Sequence, residues 1–418
     1  MRNDISTAAF PVETVRRDFP ILGQSVKGCP LVYLDNGATT QMPEPVLQEI
    51  VRHYHTDNAN VHRGIHTLSE RSTAALEAAR EKVRAYLNAK QAEEIVFTKG
   101  TTDSVNTLAR ALEPHIGEGD AIVASALEHH ANFVPWQQLC LRTGAKFLVA
   151  PLDGNGDVDL GALGRLLSEN RVALVAMTHV SNVTGTVNPV ARIAGMAHEH
   201  GALMMVDAAQ SIRHEEVDVQ VIGCDFLAFS GHKTCAPTGI GVLYGRFEEL
   251  EKLSPVEFGG EMVDIVTTER TTFEVLPLRF EAGTPNYVGA RALGAALDYL
   301  EGLGRKAVRS WEHELLAYAE ERLSAVEGLK ILGHPAHRAG CLSFTVKDVH
   351  PFDLAALLDT QGVALRSGNQ CAQPLLHETY GIQNVTRLSP AFYNTREEID
   401  ACIAALERVI PLLQAAAR

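Results

Sequence analysis

The chain has 418 residues, with 51 acidic and 37 basic side chains and a formal net charge of −14. Hydrophobic residues make up 46% and charged residues 21%, ordinary globular values that exclude a disordered or fibrous chain. The acidic excess argues against nonspecific binding to nucleic acid or to an anionic membrane surface, since both reward clustered lysine and arginine. No segment reaches the ~18 apolar residues of a membrane span, and residues 1–11 lack the pattern of a secretory signal, so we expect a cytoplasmic protein.

Short apolar runs alternate with helical patterns along the first two thirds of the chain. The predicted strands are residues 94–98, 121–124, 172–176, 202–206 and 226–229, and a helix follows the first of them to about Leu112. Runs that are apolar throughout, rather than alternating, are typical of strands buried on both faces of a mainly parallel sheet. The pattern predicts a doubly wound α/β fold, whose ligands bind at the carboxyl ends of the strands.

The pattern changes from about Tyr287. Two amphipathic helices, short strands and a terminal helix follow, at residues 290–303, 310–327, 341–346, 363–366 and 397–413. Helices beside a few short strands predict a smaller α+β domain. We therefore expect two domains, a large one of residues 28–295 and a small one made of residues 1–27 and 296–418.

Polar residues follow four of the predicted strands, and together they suggest a cofactor. Their groups are Gly100-Thr101-Thr102, Glu128-His129-His130, Asp207 with Gln210, and Ser230-Gly231-His232-Lys233. A glycine and two threonines at a helix start suit a phosphate, and a buried carboxylate can keep a pyridine nitrogen protonated. An imidazole can stack on a flat ring, and a lysine in a partly apolar cleft can form a Schiff base. Phosphate, pyridine nitrogen, flat ring and aldehyde are the groups by which proteins bind pyridoxal phosphate.

The same residues lie in longer motifs spread from about Arg17 to Leu413. The motifs are Tyr33-Leu34-Asp35-Asn36-Gly37-Ala38, Val61-His62-Arg63-Gly64-Ile65-His66, Glu128-His129-His130-Ala131-Asn132, Thr178-His179-Val180-Ser181-Asn182, Val206-Asp207-Ala208-Ala209-Gln210, Ser230-Gly231-His232-Lys233, Phe280-Glu281-Ala282-Gly283-Thr284-Pro285-Asn286 and Arg366-Ser367-Gly368-Asn369-Gln370-Cys371-Ala372. By them the chain resembles the class V (fold type I) pyridoxal-phosphate enzymes, and within these the group II cysteine desulfurases of Suf-type iron–sulfur cluster assembly. The resemblance implies pyridoxal 5'-phosphate as cofactor, L-cysteine as substrate, a sulfur-acceptor protein as partner, and a homodimer.

The resemblance also assigns roles to individual residues. It makes Lys233 the covalent anchor of the cofactor, Asp207 the partner of the pyridine nitrogen, His130 the ring-stacking and proton-transferring group, Gln210 the ligand of the ring hydroxyl, Thr101, Thr102, Ser230 and His232 the phosphate end, and Thr284 a contact to the phosphate in the partner subunit. Arg387 is implied to bind the substrate carboxylate, assisted by Asn182, which also contacts the cofactor, and Arg366 and His62 are implied to line the same cleft. Arginine suits this task because its planar fork matches a carboxylate.

Cys371 is the candidate for sulfur chemistry. It lies in a loop with glycine and proline, and it matches the family's persulfide-forming cysteine. Cys29, Cys140, Cys224, Cys341 and Cys402 are predicted to be apolar fillers. Two stretches depart from the family: Asn369-Gln370 replaces one or two histidines, and Thr234-Cys235-Ala236-Pro237 replaces Leu-Tyr-Gly after the lysine. Cys235 could trap the cofactor, but we expect it to be a bystander.

The predicted activity is conversion of L-cysteine to L-alanine, with the sulfur held as a persulfide on Cys371. One alternative is a selenocysteine lyase or another carbon–sulfur lyase of the same class, which would release sulfide or selenide without this thiol. A second alternative is a catalytically weak assembly partner. A metal site is not expected, because neither H-E-x-x-H nor structural-zinc spacing occurs, and a dinucleotide is not expected without a G-x-G-x-x-G turn.

Overall fold

The computed structural model describes residues 10–416. The helices, in chain order, are α1 (Val12–Arg16), α2 (Glu44–Thr56), α3 (Thr67–Leu87), α4 (Thr101–Leu112), α5 (Val134–Thr143), α6 (Leu160–Glu169), α7 (Val190–Glu199), α8 (Ser211–His214), α9 (Val219–Ile222), α10 (Phe247–Leu250), α11 (Tyr287–Leu303), α12 (Arg305–Ser324), α13 (Pro351–Asp359) and α14 (Arg396–Ala416). The strands are β1 (Ser25–Val26), β2 (Cys29–Pro30), β3 (Val32–Tyr33), β4 (Ile95–Thr98), β5 (Asp120–Ser125), β6 (Lys146–Ala150), β7 (Arg171–Thr178), β8 (Leu203–Asp207), β9 (Phe226–Ser230), β10 (Gly241–Gly245), β11 (Val263–Val266), β12 (Thr271–Phe273), β13 (Leu329–Ile331), β14 (Leu342–Val346), β15 (Val363–Ala364), β16 (Arg366–Gly368) and β17 (Val385–Leu388).

A seven-stranded sheet forms the centre of the molecule, in the order β4-β10-β9-β8-β7-β5-β6. Strands β5 to β9 pair in parallel, whereas β10 is antiparallel to both β9 and β4. All five predicted strands are confirmed, each within a residue or two of its predicted bounds. They form here because their side chains are buried on both faces of the sheet.

Helices cover both faces of this sheet. Successive residues of a strand point to opposite faces, so Met205 and Val206 of β8 enter different cores. Val206 packs in the core that includes Leu76 of α3 and Leu293 of α11, and Met205 packs in the core that includes Val105 of α4. The predicted α/β fold with a mainly parallel, doubly wound sheet is confirmed, and it is the fold type I arrangement.

A second, four-stranded antiparallel sheet has the order β13-β14-β17-β16. Its core joins strand residues such as Phe344 to α12 and α14, and it also takes in Val32 and Leu34. The strand predicted at 363–366 divides in two, since β15 pairs with β3 and β16 pairs with β17. The domain division at residues 27/28 and 295/296 remains a prediction. The apolar clusters place Val32 and Leu34 with the smaller core, whereas Tyr33 between them packs against the larger one.

The antiparallel strand β10 brings two glycines together beneath the start of α4. A Cβ on Gly241 would collide with the Cα of Gly100 and would lie 2.7 Å from the carbonyl oxygen of Phe229. Gly100 itself has a φ of 146°, which favours glycine. This contact fixes the height of the α4 N-terminus above the sheet. Within residues 10–416, no helix is both long enough and apolar enough to cross a membrane.

Candidate active site

A cavity of about 530 Å³ opens at the carboxyl ends of the parallel strands. Most of the predicted site residues line it, namely Thr101, Thr102, Asn182, Asp207, Gln210, Ser230, His232, Lys233, Arg366, Cys371 and Arg387. His129 also lines it, whereas His130, Thr284 and His62 do not. The sequence therefore brings residues from distant segments to one cleft, at the edge where such a fold binds its ligands.

One end of the cavity is the N-terminus of α4. The Thr101 N–H donates to Ser230 Oγ over 2.8 Å, and the two hydroxyl oxygens lie 2.9 Å apart. Thr102 and His232 flank this pair. The free N–H groups and positive dipole end of a 12-residue helix, with hydroxyls beside them, suit a phosphate group.

Asp207 lies at the end of β8 and is only 3% exposed. Its Oδ1 accepts the Ala209 N–H over 2.8 Å, and burial raises its pKa, opposed by that bond and by Lys233. Burial in turn lowers the pKa of Lys233, while Asp207 raises it. A buried carboxylate facing a cavity calls for a cationic partner there. A lysine with weakened proton affinity is suited to nucleophilic attack on an aldehyde.

The two adjacent histidines have different surroundings. His129 faces the cavity, and burial, with Lys233, His130 and Arg387 adding to it, lowers its pKa to about 3. His130 instead contacts the Cys371 loop: its N–H donates to the Cys371 carbonyl over 2.7 Å, and its Nε2 accepts the Gln373 N–H over 3.1 Å. Of the two, His129 therefore lines the cavity that contains Lys233, whereas the ring-stacking role was predicted for His130.

Arg387 lies on β17 and is 2% exposed. Its Nη1 donates to the Asn182 carbonyl over 2.9 Å, and its Nη2 is 3.4 Å from Asp35 Oδ1. Its Nε is buried and has no partner among the described residues. Arg366 binds the same Asp35 through Nε and Nη2, at 2.9 to 3.1 Å. Arg387 thus retains donor capacity for an incoming carboxylate.

Cys371 is exposed, whereas five of the other cysteines are buried and Cys29 is half-buried. Its loop is fixed by polar contacts: the Cys371 N–H donates to Asn369 Oδ1 over 3.0 Å, and Asn182 Nδ2 donates to the Gln370 carbonyl over 2.8 Å. Asn369, which departs from the family pattern, therefore closes the turn before Cys371. The Gln370 amide is buried without a partner in the described residues.

Two further residues lie apart from the groups predicted for them. Thr284 lines a separate cleft with Lys99 and Gly239. His62 lies 3.7 Å from Glu77 and 3.5 Å from Glu261, and these carboxylates raise its pKa. Their predicted roles remain predictions, and that of Thr284 requires a second subunit.

Cys235 follows Lys233 closely in sequence but does not line the cavity. Its side chain is fully buried in the main core, its N–H donates to Thr40 Oγ1 over 2.8 Å, and burial raises its pKa to about 11. A buried thiol held in its neutral form is a poor nucleophile, which favours the bystander interpretation.

The donor set fits pyridoxal phosphate. The α4 N-terminus with Ser230 would hold the phosphate, the buried Asp207 the pyridine nitrogen, and Lys233 the aldehyde carbon. Among residues 10–416, no three histidine, cysteine, aspartate or glutamate side chains are grouped as metal ligands would be.

Comparison with known proteins gives consistent matches. The family model described as aminotransferase class-V matches residues 32–402. A probable cysteine desulfurase from Halalkalibacterium halodurans is 48% identical over 395 residues, 94% of this chain and 97% of that protein. The crystal structure of an Escherichia coli cysteine desulfurase in an S-sulfonic acid form has a TM-score of 0.89 at 40% identity, covering 97% of this chain and all of that one. An apo cysteine desulfurase structure from Thermococcus onnurineus has a TM-score of 0.91 at 37% identity, covering 97% and 99%.

Proposed function

The chain belongs to the class-V aminotransferase family and is a pyridoxal-phosphate-dependent cysteine desulfurase, and we propose that Cys371 is the thiol that receives the sulfur. The observation that carries this proposal is the position of Cys371: it is the exposed cysteine, and it lines the same cavity as Lys233 and Arg387. Substrate bound between the lysine and the arginine is therefore within reach of this thiol.

The reaction depends on groups that hold the substrate and move its protons. Arg387, with Asn182 beside it, binds the cysteine carboxylate and orients the side-chain sulfur toward the loop. Bound pyridoxal phosphate supplies an electron sink next to the substrate Cα. The Lys233 amine, whose pKa is lowered by burial, takes the Cα proton, and Asp207 keeps the pyridine nitrogen protonated.

The sulfur transfer balances without an external oxidant. The Cys371 thiolate attacks the substrate sulfur, a sulfur–sulfur bond forms, and the carbon–sulfur bond breaks. The electron pair of the broken bond stays with the carbon, which takes up a proton and becomes the methyl group of alanine. Cysteine and a thiol thus become alanine and a persulfide on Cys371. The neutral His129, facing the cavity, is the proposed ring contact and proton carrier.

The wider assignment rests on the family likeness. We propose a homodimer in which Thr284 reaches the partner's phosphate site, a Suf-type protein acceptor for the sulfur, and an iron–sulfur assembly pathway in the cytoplasm. The exposure of Cys371 supports protein-to-protein transfer, because an acceptor thiol must approach the persulfide directly. The presence of seven free cysteines supports a reducing compartment.

The test is Cys371→Ser, with Cys29→Ser as the matched control at the half-buried cysteine. Alanine and sulfide are measured together after incubation with L-cysteine and a reductant. We expect Cys371→Ser to retain the visible absorbance of the cofactor and to lose both products, and Cys29→Ser to behave as wild type. Continued sulfide release by Cys371→Ser would identify a different carbon–sulfur lyase. No alanine from the wild-type protein would identify an assembly partner without this activity.

A further inference from the structure

The loop that carries Cys371 has an unfavourable backbone. Gln370 and Cys371 have φ values of 52° and 53°, so two successive residues with side chains lie in the left-handed region. Such residues persist only where the surrounding contacts determine the conformation. Within the loop, the hydrogen bond from the Cys371 N–H to Asn369 Oδ1 closes the turn. It does not tie the loop to the body of the cofactor cavity.

Among residues 10–416, three hydrogen bonds make that connection, and His130 contributes two of them. Its backbone N–H donates to the Cys371 carbonyl over 2.7 Å, and its Nε2 accepts the Gln373 N–H over 3.1 Å. The third runs from Asn182 Nδ2 to the Gln370 carbonyl over 2.8 Å. Both contacts of His130 therefore lie on the C-terminal side of the Cys371 side chain, one at its own carbonyl and one at the N–H two residues later.

His130 is itself held on a rigid base. It begins the short 3₁₀ helix His130–Asn132, and Asn132 is fully buried. Asn132 Nδ2 donates to Glu128 Oε2 over 2.6 Å, and its Oδ1 accepts the Trp136 Nε1–H over 3.0 Å. Glu128 also accepts the Thr178 N–H over 2.8 Å, which joins this base to the central sheet. The loop contacts are therefore anchored to the sheet through buried hydrogen bonds.

His130 and His129 differ in what their imidazole rings contact. Nε2 of His130 accepts a backbone N–H, so its proton must lie on Nδ1 and the ring must be neutral. The ring centroids of His129 and His130 are 6.3 Å apart, and only His129 lines the cavity. We propose that His130 is a positioning residue that holds the Cys371 loop in its strained conformation, while His129 faces the cofactor. This proposal rests on the assignment of Cys371 as the sulfur-receiving thiol.

The test compares His130→Ala, His130→Gln and the control His115→Ala in the cofactor-loaded enzyme. His115 is an exposed histidine near the end of α4. Amide hydrogen exchange is followed by mass spectrometry in a peptide spanning residues 369–376. Loss of one hydrogen bond should speed exchange of this peptide by about five- to tenfold in His130→Ala, with peptides from α14 unchanged. His130→Gln, which can present an amide oxygen to the Gln373 N–H, should restore most of the protection, and His115→Ala should change nothing.

Kinetics and absorbance separate positioning from cofactor binding. We expect His130→Ala to lower kcat for alanine formation by about five- to tenfold with little change in KM, and to leave the cofactor absorbance as in wild type. Gln373→Pro removes the N–H that donates to His130 Nε2. The double variant should lower kcat no more than either single change does, because both changes break the same hydrogen bond. Unchanged loop exchange in His130→Ala would overturn the proposal, as would loss of cofactor absorbance in that variant. Since exchange is measured without substrate, a protein that forms no alanine would refute the proposed function but not the loop contact.

Discussion

Replacement of Arg387 by glutamine gives the sharpest test of how the site binds its substrate. The guanidinium is 2% exposed, its Nε has no partner among the described residues, and its Nη2 makes only a 3.4 Å approach to Asp35. Two N–H groups are thus available to a substrate carboxylate. Asp35 keeps the close ion pair with Arg366 when Arg387 is changed, so the variant should fold.

The expected magnitude follows from these two contacts. A hydrogen bond to a charged group contributes about 1.5–3 kcal/mol, so the loss of two should cost about 3–6 kcal/mol in transition-state binding. At 1.36 kcal/mol per tenfold change in rate, kcat/KM should fall roughly 10²- to 10⁴-fold. The kcat/KM of Arg387→Lys should lie between those of wild type and Arg387→Gln, because lysine keeps the positive charge but lacks the planar guanidinium that binds a carboxylate through two N–H groups.

The assay is the initial rate of alanine formation as a function of L-cysteine concentration. Arg366→Gln is the matched control: Arg366 also lines the cavity, but its side chain is 48% exposed and already bound to Asp35, so its loss should be less than about tenfold. The inhibition constant of L-alanine should rise in Arg387→Gln by a factor similar to the fall in kcat/KM for L-cysteine. An Arg387→Gln enzyme within threefold of wild type, or one more active than Arg366→Gln, would refute the reasoning.

Three further predictions concern buried ionisable groups. Asp207→Asn should keep the cofactor but lower kcat at least about 100-fold, as its neutral amide cannot hold the pyridine nitrogen protonated; cofactor absorbance and alanine formation measure this. His179 is buried, and burial lowers its pKa to about 4, so the unfolded chain binds more protons than the folded protein below pH 6.5. The unfolding free energy therefore falls as the pH is lowered from 7 to 5, and His179→Gln should abolish about 2 kcal/mol of that fall, measured by urea titration at the two pH values. Arg80→Met should destabilise the fold by about 3–5 kcal/mol in the same assay, because it leaves Glu281 as a buried unpaired charge, whereas Glu77→Gln at the half-exposed partner should cost less than about 1 kcal/mol.

The sequence predicted the central sheet well because its strands are apolar throughout. Continuous apolar runs of this length are typical of strands buried on both faces of a sheet. Strands β6 and β10 of this sheet were not predicted, and β10 pairs antiparallel between β4 and β9. Its five residues, 241–245, begin and end in glycine, and glycine-rich segments carry a weak strand signal.

Asp207 and Lys233, which were predicted from their positions just after strand ends, both line the cavity. The assignment between His129 and His130 was not accessible to the same reasoning. The two residues are adjacent, and a turn of the chain after β5 decides which ring faces the cavity. The roles of Thr284 and His62 stay predictions, since this chain places neither of them at the cavity.

The contact between Gly100 and Gly241 limits which sequences can carry this chemistry. A methyl group at residue 241 would strike the facing backbone, and residue 100 combines a φ of 146°, which disfavours a side chain, with Ser230 Oγ at 3.2 Å from the position of a Cβ. In a library that randomises both positions, selection for cofactor retention should return glycine at each, and a second substitution elsewhere should not rescue alanine at residue 241. The two glycines are 141 residues apart in the chain, but because they touch in the fold we expect them to be retained together.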